Sequence, residues 1–210
     1  MSNIKVDFSE IEVYLFDLGG VLIDIDPLKT IEAFSQLGLS QLHDQINHGH
    51  HSGLFKQLET GQISDDDFIS AIRKQLRYPY PISDVIDAWN KMLIHFPVER
   101  IQILKQLKKE KPVYLLSNTN GIHRDYFTKM TTQYSEFEDL FTQVFYSYQL
   151  GCSKPDSEPF LKVIQETGLK PERTLFLDDS LANLATAKKI GFQTYFITKE
   201  NTVEKIFSNM

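Results

Sequence analysis

Five short runs of β-branched and aromatic residues recur along the chain, and each borders a polar or glycine-containing break. The first, residues 12–16 (EVYLF), ends at Asp17 and is followed by Gly19-Gly20, the form of a buried strand entering a tight loop. Residues 112–117 (PVYLLS) end at Ser117-Asn118, and residues 143–146 (QVFY) lead towards Gly151. Residues 174–178 (TLFLD) end in Asp178-Asp179, and residues 193–197 (QTYFI) follow Gly191. Between them lie segments with apolar residues at helical spacing: 98–110, with Val98, Ile101, Leu104 and Leu107, then 156–168, and 180–189 with Leu184 and Ala187 turned inward. Such alternation predicts an α/β fold built on a doubly wound parallel sheet.

Residues 27–95 break the alternation. Their spaced Ile, Leu and Phe positions, punctuated by Gly38, Gly53, Gly61, Pro79 and Pro81, predict several helices and no strand. Ser64, with Asp67 three residues later, reads as a helix start with a capping-box partner. Inserted directly after the first strand, this block is expected to form a helical cap over the carboxyl edge of the sheet. The chain then divides into a core of residues 1–26 and 96–210 and a cap of residues 27–95.

Composition narrows the partners. A chain of 210 residues, 41% apolar, can bury one substantial core and carry a smaller module. The formal charge of −6, with Lys and Arg scattered, gives no positive field for nucleic acid or an anionic membrane, so neither is expected as a partner. The single Cys152 excludes an intramolecular disulfide framework and suits a reducing compartment, so a cytoplasmic location is expected. The first 17 residues do not have the form of a signal peptide. No run approaches the roughly 20 apolar residues that span a bilayer.

In open α/β sheets, ligands sit outside the carboxyl ends of the strands, so Asp17, Ser117, Asp178 and Asp179 are expected to share one crevice. A carboxylate that attacks a phosphate ester meets an anion, so the site must neutralise charge and position both partners. Asp17 is the candidate nucleophile, forming an aspartyl-phosphate. Gly19 and Gly20 let the backbone approach a ligand, with N–H groups towards phosphoryl oxygens and a carbonyl towards a metal. Asp178 and Asp179 are hard oxygen ligands of the kind Mg²⁺ prefers, with Asp179 the expected direct ligand. Ser117 and Asn118 offer a hydroxyl and an amide to phosphate, and Lys154 a compact cation.

These residues stand in motifs. FDLGGVL (16–22), LLSNTN (115–120), the lysine of LGCSKPD (150–156) and FLDDSLAN (176–183) resemble, in order, the four signatures of haloacid-dehalogenase-superfamily hydrolases. Within that superfamily, FDLGGVLIDID, SNTNGIH and LDDSLANL look like bacterial sugar-phosphate phosphatases of the glucose-1-phosphate phosphatase type and also resemble the phosphatase domain of soluble epoxide hydrolase. The resemblance implies Asp17 as nucleophile, Ser117, Asn118 and Lys154 on phosphate, Mg²⁺ on Asp179 and the Gly19 carbonyl, and a small phosphorylated substrate. One position departs from it: phosphatases of that superfamily usually carry a general acid two residues after the nucleophile, and this chain has Gly19 there. Asp24, Asp26 or a cap histidine are the candidates to replace it, and a good leaving group or water is the alternative that needs no replacement.

Each feature also has a structural reading. Asp-x-Gly-Gly is a common tight turn, Ser117-Asn118 suits a helix N-cap, and Asp178-Asp179 suits a helix dipole; their ordered recurrence at strand ends favours catalysis. The cluster His43, His48, His50 and His51 lacks an accompanying acidic or cysteine ligand set, so it reads as solvated or hydrogen-bonded cap residues. Trp89 reads as cap core, and His123 and Arg124 either face the crevice or begin a solvated helix. Two other functions remain open: a 2-haloacid dehalogenase, which has no use for paired metal carboxylates, and a non-catalytic binder of phosphorylated ligands.

Overall fold

The computed structural model describes residues 7–39 and 53–207. The five expected strand runs form one parallel sheet: β1 (Val13–Phe16), β4 (Val113–Ser117), β5 (Gln143–Tyr146), β6 (Thr174–Asp178) and β7 (Gln193–Phe196), in the order β5-β4-β1-β6-β7. From β1 the chain builds outward through β4 and β5, then returns to the other side of β1 for β6 and β7. The reversal therefore lies beside β1, where a doubly wound sheet opens a crevice.

Alternation along the strands explains why both faces are covered. Tyr14, Phe16, Leu115, Leu175 and Leu177 share one apolar cluster with Ile101, Leu104 and Leu107 of α5 (Val98–Glu110) and Phe207 of α10 (Val203–Phe207). Leu15, Leu116 and Phe176 point the other way, onto Phe160 and Val163 of α8 (Glu158–Thr167) and Leu184 and Ala187 of α9 (Leu181–Ile190). A strand buried on both faces must be apolar at successive positions, which is what EVYLF and TLFL supply.

Residues 27–95 hold four described helices: α1 (Pro27–Gln36), α2 (Gly53–Glu59), α3 (Asp65–Gln75) and α4 (Ile82–Asn90). Asp26 caps α1 by accepting from Leu28 N–H (3.1 Å), and Ser64 and Asp67 form the expected capping box on α3. The helices bury a cluster of their own, with Phe34, Phe55, Phe68, Ile72, Val85 and Trp89. Ile122, in α6 (Gly121–Phe127), also belongs to it. The chain enters this block through β2 (Asp24–Ile25) and leaves through β3 (Leu93–His95), paired antiparallel. The strand at 93–95 corrects the expectation of none between 27 and 95. Three residues are too few to display a period, and their pairing is with a segment some seventy positions away. Among the described residues, no helix is long and apolar enough to cross a membrane.

Candidate active site

Asp17 follows β1, Asp178 ends β6, and Lys154 lies in the loop between α7 (Ser147–Leu150) and α8. Their side chains meet beneath the surface. The Lys154 ammonium donates to Asp17 Oδ1 at 2.6 Å and to Asp178 Oδ2 at 2.8 Å, with the Phe176 ring 5.3 Å from the nitrogen. Lys154 is only 3% exposed and Asp178 is fully buried, so this charge is desolvated and must be paired. Asp178 also accepts from Ser180 N–H (2.7 Å) and from Asn183 Nδ2 (3.1 and 3.0 Å). Both of its oxygens are thereby engaged, and its work is to hold Lys154 and the start of α9.

Asp17, Asp178 and Asp179 each bring a carboxylate oxygen within 4.8 Å of the others. Burial raises the Asp17 carboxyl to about 7, with Asp178 and Asp179 adding to the rise and Lys154 opposing it. Desolvation, then the Asp178 charge, pushes Asp179 up to about 6. For Lys154, burial works against the ammonium but Asp17 and Asp178 outweigh it, so its pKa stands above the ordinary lysine value. Two raised carboxyls within reach of a third are a donor set in search of a cation: hard oxygens, partly dehydrated and mutually repelling.

Gly20 makes room for that set. Its φ is +75°, and a Cβ there would lie 2.1 Å from Asp179 Oδ2, so both its backbone angle and the close approach exclude a side chain. Its N–H, expected to face phosphate, instead donates to the Ile23 carbonyl at 2.8 Å. The loop turns too tightly to leave that donor pointing outward, so Gly20 serves by its lack of a side chain.

Ser117 is buried at the end of β4, and its hydroxyl makes one long contact, 3.5 Å to the Asn118 carbonyl. The Asn118 side chain differs from the expectation. Its Nδ2 donates to the Lys154 carbonyl (2.8 Å) and to Glu59 Oε1 (3.3 Å), while Oδ1 accepts from Lys154 N–H (3.0 Å). That amide clamps the backbone carrying Lys154, and its donors are committed there. The N-cap of α6 is Asn120, which accepts from His123 N–H at 3.0 Å.

Gly19, Ser117 and Asn118 open into a chamber of about 160 Å³ between the sheet edge and the helical block. Leu18, Ile23, Phe55, Trp89, Leu93 and Phe127 make its walls apolar; Glu59 and His123 are the ionisable side chains that line it among the described residues. Trp89 sits in the apolar cluster as expected and stacks on His123, ring centroids 4.6 Å apart. His123 is buried, with Nε2 3.2 Å from the Trp89 carbonyl, while Arg124 reaches outward to Glu138 (2.9 Å). Asp24 pairs with Arg100 at 2.8 Å and Asp26 caps α1, so neither enters the chamber. His43, His48, His50 and His51 lie outside the described residues.

Reasoning from the sequence missed Glu59, Asn120 and Asn183. Asn183 stood in view within FLDDSLAN, five residues after Asp178, but its bond to that carboxylate depends on the turn into α9. Nothing local marks Glu59, which reaches the site only because α2 docks there.

The comparisons agree with this geometry. The family model for haloacid dehalogenase-like hydrolases matches residues 11–191. The chain is 31% identical over 183 residues to a D-ribitol-5-phosphate phosphatase from Bacteroides thetaiotaomicron, covering 86% of this chain and 89% of that one. It is 27% identical over 187 residues to a sesquiterpene phosphatase from Aspergillus oryzae, with 88% of each covered. A crystal structure of a HAD family enzyme from B. thetaiotaomicron, in complex with magnesium and inorganic phosphate, superposes with a TM-score of 0.87 at 33% identity, covering 94% of this chain and 99% of that one. With the family model matched over residues 11–191 and the ribitol-5-phosphate phosphatase 31% identical over most of both chains, the chain belongs to the haloacid dehalogenase-like hydrolases.

Proposed function

We propose that the protein is a Mg²⁺-dependent phosphatase that hydrolyses a small phosphomonoester, most simply a sugar or polyol phosphate, through an aspartyl-phosphate on Asp17. The observation that carries this reading is the convergence of Asp17, Asp178 and Asp179 within 4.8 Å, with the Lys154 ammonium bridging two of them. Asp17, Asp179 and the Gly19 carbonyl would hold the ion, with Asp178 beside it. Bound there, Mg²⁺ supplies positive charge that lets an anionic nucleophile approach an anionic ester. Asp17 attacks phosphorus in line with the leaving oxygen; water then cleaves the acyl phosphate and returns the carboxylate. Lys154 and the Ser117 hydroxyl bind phosphoryl oxygens, and Asn118 keeps Lys154 in place.

The residue 27–95 block acts as the cap, closing over the crevice and choosing the leaving group. A chamber of about 160 Å³ is small beside the roughly 300–1,000 Å³ of drug-sized ligand sites. A five- or six-carbon leaving group suits it better than a sesquiterpenyl chain or a nucleoside. The ribitol-5-phosphate phosphatase among the relatives supports the same class. The acidic balance and the lone buried Cys152 support a cytoplasmic enzyme without a nucleic acid or membrane partner.

The test is phosphate release from a panel of sugar and polyol phosphates with Mg²⁺. Expected are many turnovers, loss of activity in EDTA, recovery on adding Mg²⁺, and background rates for Asp17→Asn. Metal-independent halide release from 2-haloacids would favour the dehalogenase instead, and tight binding of phosphate esters without product would favour the non-catalytic binder.

A further inference from the structure

An alkoxide is a poor leaving group, and positioned proton donation is typically worth about 10²–10⁴ in rate. The loop after the nucleophile offers no donor side chain: Leu18, Gly19, Gly20, Val21, Leu22 and Ile23 carry none. A side-chain donor must therefore lie outside this loop. Among the described residues, two ionisable side chains line the chamber, His123 and Glu59. His123 is stacked on Trp89 and its Nε2 lies against the Trp89 carbonyl, which fixes that nitrogen as a donor to the backbone. Glu59 differs in placement. It ends α2, is 8% exposed, and lines the chamber together with Gly19, Ser117 and Asn118. Its Oε1 is 3.3 Å from the Asn118 amide that clamps Lys154. Its backbone is fixed as well, because Ser147 Oγ donates to the Glu59 carbonyl at 2.6 Å. Lys56, one turn earlier, donates to Ser153 beside Lys154, so the charged groups around this carboxyl are anchored.

We infer that Glu59 is the general acid and base of the reaction, standing in from the cap for the side chain that Gly19 lacks; the inference rests on the phosphatase reading above. As Asp17 forms its bond to phosphorus and the P–O bond to the leaving group breaks, the Glu59 carboxyl gives its proton to the departing oxygen and becomes a carboxylate. In the second step that carboxylate takes a proton from the attacking water, the P–O bond to Asp17 breaks, and inorganic phosphate leaves with Glu59 reprotonated. Ester and water become alcohol and phosphate, with no further reactant.

Phenyl phosphate and p-nitrophenyl phosphate place the same ring in the apolar chamber and differ in how much their leaving oxygen needs a proton. With Mg²⁺ present, kcat/KM reports transfer to Asp17 for each. Glu59→Gln keeps an oxygen to accept from Asn118 and removes the proton. Expected is a loss of about 10²-fold or more on phenyl phosphate and less than about tenfold on p-nitrophenyl phosphate, with Glu59→Asp recovering part of the difference. An equal loss on both esters, or none on either, overturns the assignment and leaves Glu59 as a cap tether. A wild-type chain that releases phosphate from neither these esters nor any of the sugar and polyol phosphates overturns the phosphatase reading itself, and the inference with it. Because the readout is a ratio within one preparation, misfolding of a variant cannot imitate it.

Discussion

Asp17 and Asp179 are carboxyls that hold protons where carboxyls ordinarily do not. Burial first, and neighbouring acids second, place them at about 7 and about 6, against about 3.9 for an unfolded aspartate. Between those values the folded chain binds more protons than the unfolded one. The stability these two groups contribute is therefore fully present below about pH 4 and is lost as pH rises through 6 and 7. A divalent ion held by Asp17 and Asp179 would replace the protons and reverse the loss. Binding to the folded state alone stabilises by about 2.7 kcal/mol when the ion stands at a hundredfold its Kd. Thermal unfolding with and without Mg²⁺ should accordingly show a clear rise in Tm at pH 8 and little at pH 5, and Asp179→Asn should remove the rise at pH 8. Equal rises at both pH values would mean that the ion binds elsewhere. Comparing plus and minus Mg²⁺ at one pH cancels the other carboxylates, Glu204 among them, whose pKa shifts the opposite way.

At the scale of elements, the strands do the placing and the short pieces do the joining. Asp17, Ser117, Asn118, Asp178 and Asp179 each end or follow a strand, which was legible because a strand's apolar run and its polar stop are neighbours in sequence, whereas Lys154 lies further on, in the loop between α7 and α8. The capping box at Ser64 was legible for the same reason. The β2–β3 pair was not, since two and three residues carry no pattern and their partner is remote. Nor was the task of Asn118, whose type suits a phosphate donor equally well until the backbone of Lys154 is brought against it. Arg100 shows how such joints are secured. From α5 it donates to Asp24 beside the chamber loop (2.8 Å), to the Leu22 carbonyl (3.2 Å) and to Glu204 on α10 (2.9 Å). It is buried, while its acidic partners are partly exposed, which moderates what remains when it is removed. Arg100→Met is expected to lower unfolding free energy by about 2 kcal/mol, on the scale of lost charge-assisted hydrogen bonds. Urea titration checks this, and an unchanged midpoint would show that solvent replaces all three contacts.

The described residues bury three apolar clusters, one on each face of the sheet and one in the helical block, and the candidate site lies between the block and the sheet. Ile122 is the residue of α6 that enters the cluster of the block. Among the described residues, contacts across the crevice include Glu59 with Asn118 and Ser147, Lys56 with Ser153, and Trp89 with Asn120 and His123. Gly61 marks how closely the two bodies approach. At φ +65°, a Cβ there would stand 2.2 Å from the Tyr148 backbone carbonyl, which has no flexible end to swing away. Gly61→Ala must therefore shift α2 or the segment at Tyr148, while the carboxylates at the sheet edge stay on their own strands. A displacement of the order of 1 Å at a positioning group can cost about 10²-fold in rate. The expected result is a fall of that order in kcat/KM for the preferred phosphate ester, with the Mg²⁺-dependent rise in Tm at pH 8 retained. Loss of both together would mean that the ion site depends on the cap's position; loss of neither would mean that the cap already moves freely enough to absorb a methyl group. The first outcome alone fits a molecule in which the sheet holds the charges and the cap holds the leaving group.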